Sequence, residues 1–127
     1  MGHVHVQITI TNPADPALTS TVEALVDTGA TMTVLPRPLA EQLRLRVTGR
    51  GTVRTATGNI DIDRSAAILQ IDGKSELNPV VISDSLDRTL VGVATLQTLE
   101  LAVDPTTGNL TEGETLLLSL YKERARP

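Results

Sequence analysis

From His3 to Ile10 apolar and polar residues alternate with period two, which puts Val4, Val6, Ile8 and Ile10 on one face of a strand. Asn12-Pro13 through Asp15-Pro16 interrupts that pattern as a loop. Val22 to Val26 predicts the next strand and runs straight into Asp27, and Met32 to Leu35 reads as extended again. Pro36-Arg37-Pro38 opens a short helix over 39–45, with Leu39 and Leu43 one turn apart. Residues 46–57 and 59–72 read as the arms of a long hairpin turning near Thr57-Gly58-Asn59. Asp72-Gly73 is a second turn signal. Pro79 to Ile82 predicts a strand, Ser83-Asp84-Ser85 a loop, and 93–99 a second short helix. Leu101 to Val103 returns as strand, 104–109 turns, and Leu116 to Leu120 closes the chain as a strand. The pattern is that of a mostly β chain with two short helices, without repeats or a linker.

Composition narrows the chemistry. The 127 residues are expected to form one domain over 1–127, long enough for a substantial core. No cysteine is present, so disulfides, thiolate zinc sites and cysteine nucleophiles are excluded. No run approaches the ~20 apolar residues of a membrane span, and no signal-like apolar segment follows the amino terminus. A cytoplasmic location is therefore expected. The formal net charge of -4 argues against a nucleic-acid surface. Tyr121 is the one aromatic residue, so stacking on bases or sugars has little support. His3 and His5 share a strand face, but solvation explains them more simply than a metal, and no metal or cofactor is expected. Asp61 and Asp63 alternate with Ile60 and Ile62 as the wet face of a strand.

One residue breaks the pattern in a way that asks for a function. In ALVDTGATMTVLP, residues 24–36, Asp27 stands where an apolar strand would continue. A carboxylate at such a place is costly unless something uses or satisfies it. Gly29 lets the backbone turn so that amides approach the carboxylate, and Thr28 adds a hydroxyl on the interior side. The result is a partly buried, tightly held acid suited to proton transfer. Hydrolysis needs both an acid and a base. Two carboxylates sharing one proton supply both, because like charges a few Å apart cannot both ionise. The chain holds a single Asp-Thr-Gly, so the second carboxylate would have to come from a second copy across a two-fold axis.

ALVDTGATMTVLP resembles the active-site segment of the retroviral-type (retropepsin-like) aspartic proteases, the single-domain homodimeric relatives of pepsin. ThrLeuValGlyVal, 89–93, is similar to that family's hydrophobic-hydrophobic-Gly element, whose Gly permits two backbones to pass closely. Residues 95–104 look like the helix and strand that follow it, and ValArgThrAlaThrGlyAsnIle, 53–60, falls where the family places its flap. The resemblance spans about residues 4–112 and rests on order and spacing more than on any one motif.

This resemblance implies a closed acid-protease β-barrel with a flap hairpin, and a chain that supplies half of a dimeric active site. It implies that Asp27 is the catalytic carboxylate and that Thr28 makes reciprocal hydrogen bonds between subunits. Gly29 would turn its carbonyl to the substrate, beside Ala30, and Ala56, Thr57 and Gly58 would form the flap tip. The activity implied is hydrolysis of a peptide or protein substrate by a water held between two Asp27 carboxylates. Ala30 has no hydroxyl to support ionised carboxylate, so activity is expected at mildly rather than strongly acidic pH. The alternative is a non-proteolytic module of the same fold that only binds or dimerises.

Overall fold

The computed structural model describes residues 4–113. Eleven elements follow in order: β1 (Val4–Asn12), β2 (Asp15–Val26), β3 (Thr33–Pro36), α1 (Arg37–Gln42), β4 (Gly49–Thr55), β5 (Gly58–Ile71), β6 (Lys74–Ser83), β7 (Thr89–Val91), α2 (Val93–Thr98), β8 (Leu101–Val103) and β9 (Leu110–Glu112). Seven strands form one sheet in the order β1-β2-β7-β3-β6-β5-β4, and β8 pairs with β9. A further antiparallel pairing of β1 with β5, Thr9 to Thr11 against Gln70 to Ile68, closes the large sheet on itself. The chain is thus mostly β with two short helices. No described helix is long and apolar enough to cross a membrane.

Alternation along the strands builds the core. Ile8, Ile10, Ala24, Val26, Leu69, Ile71, Val80, Ile82 and Val91 point inward, and Leu43, Leu96 and Leu99 from the helical segments join them. The side chains are branched aliphatics, which suit a pleated, half-buried surface. The helices end abruptly for a local reason. Arg44 and Glu100 both adopt left-handed backbone, with φ of 53° and 54°. At the first, Arg44 N–H donates to Glu41 O and Leu45 N–H to Ala40 O, the paired bonds that close a helix terminus. Asn12 completes that end: its Nδ2 donates to Leu43 O at 2.9 Å and to Arg44 O at 3.0 Å. The Asp72-Gly73 turn forms as expected, with positive φ at both residues.

Several boundaries differ from the sequence reading. α1 covers Arg37–Gln42 rather than 39–45, because the left-handed Arg44 stops it. β2 begins at Asp15, so only Pro13-Ala14 turns; its early half is held by cross-strand threonine pairs, Thr9 with Thr21 at 2.7 Å and Thr11 with Thr19 at 2.8 Å. β6 begins at Lys74 and contains Pro79. Proline is tolerated there because β3 pairs only with Val80 to Ser83, so Pro79 has β5 as its one neighbour. The flap turn falls at Ala56-Thr57, closed by the Thr55–Gly58 pair, slightly ahead of the expected position. β9 was not expected. The strand expected at 116–120 lies outside the described residues.

Candidate active site

Asp27 follows the last residue of β2, which lies beside β7 in a parallel pair, Leu25 against Leu90 and Val26 against Val91. Its backbone N–H continues that ladder by donating to Val91 O at 3.0 Å. The chain then turns: Ala30 N–H donates to Asp27 O at 3.0 Å, and Gly29 N–H donates to the Asp27 carboxylate Oδ1 at 2.9 Å. One carboxylate oxygen is therefore fixed by a backbone donor two residues away. A Cβ on Gly29 would sit 3.1 Å from that same oxygen, so the glycine leaves the room in which this contact forms.

A second glycine carries the loop. The backbone at Gly92 passes so close to Met32 that a Cβ there would lie 2.5 Å from Met32 C and O and 2.8 Å from its N. No side chain can occupy that space. The crossing is locked on both sides: Val93 N–H donates to Ala30 O at 2.9 Å, and Ala94 N–H donates to Thr31 O at 2.8 Å. Beneath it the buried Thr33 Oγ1 accepts from Gly92 N–H at 3.1 Å and bonds the Thr95 hydroxyl at 2.5 Å. The hydrophobic-hydrophobic-Gly element thus sits against the Asp27 loop through backbone bonds and a pair of threonines. Met32 is half-buried and contributes its backbone to the crossing.

Among the residues singled out from sequence, Asp27 and Ala30 are half-buried, whereas Thr28 and Gly29 are exposed. Thr28, expected on the interior side of the loop, is exposed in the single chain. Ala56, Thr57 and Gly58 are all exposed at the hairpin tip. The tip is held by Thr55, whose hydroxyl donates to Gly58 O at 2.6 Å, and by Gly58 itself at a φ of 128°.

Strand register places an apolar lane on the face that bears Asp27. His5, Leu25, Leu90, Val34, Val81, Arg64 and Gly49 are consecutive partners across the seven strands. Asp27 lies two residues past Leu25 and so continues this face rather than the core face. Leu25, Leu90 and Val34 are half-buried, and Val81 is buried although it is not part of the main core.

Sequence reasoning missed the charges at the base of the flap hairpin. Arg37 donates from Nη1 to Asp63 Oδ2 at 2.7 Å and from Nε to Asp84 Oδ1 at 2.8 Å, and Arg50 stands 3.7 Å from Asp63. The hydrogen bond from Arg37 holds the Asp84 carboxyl below its usual range. The bonds to Asp84 and then Asp63 push the guanidinium further up, against its own partial burial. These groups border a cavity of about 520 Å³ with Gly51, Thr52, Asp61 and Ile62, away from Asp27. Asp63 is therefore no wet strand residue; its side chain is 17% exposed and paired. Nothing local in the sequence signals this, since its partners lie on different elements.

Comparison with known proteins agrees with this geometry. The structure is similar to that of EIAV protease complexed with the inhibitor HBY-793, with a TM-score of 0.64 and 20% identity over 77% of this chain and 88% of that one. It is also similar to the solution structure of simian foamy virus (mac) protease, with a TM-score of 0.53 and 20% identity over 72% and 90% of the two chains. At such identities the likeness concerns the fold. A search of curated protein sequences gave no match. The profile of the gag-polyprotein putative aspartyl protease family matches residues 19–98, a span that includes the Asp27 loop, the flap hairpin and the Gly92 crossing. The chain belongs to this retroviral-type aspartyl protease family.

Proposed function

We propose that the chain is an aspartic endopeptidase whose active site forms between two copies of a single domain, each contributing Asp27. The observation that carries this reading is the Asp27 carboxylate itself, held by Gly29 N–H at 2.9 Å on a loop pinned to Val91 and Gly92. Such a loop can present an acid rigidly, which is what proton transfer in hydrolysis requires. A water between the two carboxylates attacks the peptide carbonyl. One carboxylate takes its proton while the other donates to the carbonyl oxygen. The tetrahedral intermediate then collapses as a proton passes to the leaving amine. Thr28 bonds its copy across the two-fold axis, a role supported by its exposure beside Asp27 in the single chain. Ala30 lies beside the substrate backbone, and Ala56, Thr57 and Gly58 close over it from the flap.

Asp27→Asn against wild type on a denatured protein mixture tests the assignment. Cleavage should be lost while the fold is kept; cleavage that persists refutes it. No cleavage by either protein, with a dimer present, would favour the binding module instead. A stable monomer at high concentration in sedimentation would remove the shared pair of carboxylates. Because Ala30 offers no hydroxyl, the rate should peak at mildly acidic pH, and a rate still rising below about pH 3 would contradict that part of the reading.

A further inference from the structure

We propose that Arg64 is a specificity-determining residue that takes an acidic side chain of the substrate at a distance from the bond that is cut; the proposal deepens the protease reading and rests on it. The lane of paired residues that begins beside Asp27 at Leu25 runs through Leu90, Val34 and Val81 and ends on β5 at Arg64. All these residues share one face of the sheet, the face of Asp27, so a peptide lying along the lane meets aliphatic surface first and a cation last.

The guanidinium has a prepared berth. Arg64 is exposed, and its side chain lies over Gly51: a Cβ at that glycine would meet Nη2 at 2.6 Å, Nε at 2.9 Å and Cζ at 3.0 Å. Gly51 pairs with Ile62 on the neighbouring strand, which sets the guanidinium against the base of the flap hairpin. Its charge is free among the described residues. Arg37 is paired with Asp63 and Asp84, Arg50 with Asp63 and Arg88 with Asp87, whereas no carboxylate stands within ion-pair distance of Arg64. Arg44, Arg46 and Arg54 also lack such a partner, but Arg44 and Arg46 precede β4 outside the paired lane, and Arg54 alternates with Gly51 and Val53 and so occupies the opposite face of the hairpin. A planar, exposed guanidinium matches a carboxylate through two parallel hydrogen bonds.

Register also gives the place of the acid. Four strand steps of ~4.8 Å separate Leu25 from Arg64, about 19 Å along the sheet. An extended peptide advances ~3.3 Å per residue, and curvature of the sheet shortens the path, so the acid lies about four to six residues from the scissile bond.

The test is binding to Asp27→Asn protein, which requires no cleavage. The probes are fluorescent peptide pools of about twelve residues, aliphatic at the centre, with one Glu or Gln placed four to six residues away on either side. The Glu pool should bind on the order of tenfold more tightly at one placement. Arg64→Gln should erase that difference and Arg64→Glu should reverse it in favour of a Lys pool. Gly51→Ala, which leaves every charge in place but fills the berth, should weaken it, and Arg54→Gln should not. Equal binding of Glu and Gln pools at every placement, or a preference that survives Arg64→Glu, overturns the proposal. Wild-type cleavage of the Gln pool is read separately. Cleavage without a Glu preference leaves the protease reading standing and removes this one; a Glu preference without cleavage does the reverse.

Discussion

Alanine at Gly92 should cost the protein stability, and alanine at Gly29 should cost it chemistry. At position 92 the new Cβ lies 2.5 Å from two backbone atoms of Met32. Carbon atoms pack at about 3.5–4.0 Å, so the two segments must part by roughly 1 Å. Backbone cannot rotate aside as a side chain can. Parting stretches the bonds of Val93 to Ala30, Ala94 to Thr31 and Gly92 to Thr33 together. Overpacking of this kind costs about 1–3 kcal/mol, and the three weakened hydrogen bonds, stretched rather than lost, together add about 1–2 kcal/mol. The lower entropy of an unfolded chain with alanine returns about 0.4–1 kcal/mol. A net loss of about 2–4 kcal/mol follows, against the ~5–15 kcal/mol that holds a domain folded. For a domain of this size the melting temperature should fall by roughly 8–16 °C. Urea and thermal unfolding measure this, both at one fixed protein concentration, because the proposed dimer would couple stability to concentration. At Gly29 the Cβ meets only the end of a rotatable side chain, Asp27 Oδ1 at 3.1 Å. Stability should change by less than about 1 kcal/mol while cleavage falls at least about tenfold, since the carboxylate turns from its backbone donor. A Gly92→Ala protein within about 1 kcal/mol of wild type, or equal destabilisation at both glycines, would refute the reasoning.

Two further outcomes follow from buried and paired groups. Thr33→Val keeps the shape but removes the acceptor of Gly92 N–H and the partner of Thr95, so it should cost about 2–4 kcal/mol in urea unfolding; Thr33→Ser should recover most of it. Arg37→Met should destabilise mainly near neutral pH. Asp84 has its folded pKa depressed, so its contribution is present above the unfolded value and is lost as pH falls through the folded one. The gap between Arg37→Met and wild type should therefore shrink below about pH 4, and shrink with added salt because Asp84 is exposed. A gap that widens on acidification would contradict the pairing.

What the sequence made legible divides along physical lines. The alternation of Val4, Val6, Ile8 and Ile10 and the misplaced Asp27 are local signals, carried by neighbours in the chain, and the structure keeps both. The same holds for Asp72-Gly73, whereas the need for a bare backbone at Gly92 was legible only through the family resemblance of residues 89–93. The early halves of β2 and β6 escaped notice. One is polar on its outer face and paired through threonines; the other contains a proline made tolerable only by where its neighbour stops. The ion pairs of Arg37 join residues 26 and 47 positions away, and no local pattern encodes a register. The lane from Leu25 to Arg64 is invisible for the same reason. It exists only once five strands have been laid side by side.

The crossing of Gly92 over Met32 also sets an order of events during synthesis. Thr33 and Gly92 are separated by 59 residues, and the β2–β7 pairing beside them spans a similar stretch. At ~5–20 residues per second, the ribosome adds the strand that anchors Asp27 roughly 3–13 s after Asp27 itself. Until then the carboxylate lacks Val91 behind it. Pairings this distant along the chain also make folding slow, because loop closure must precede their reward. A nascent chain therefore carries its acid long before it can hold that acid in place, and the loop around Asp27 is completed only when Val91 and Gly92 arrive.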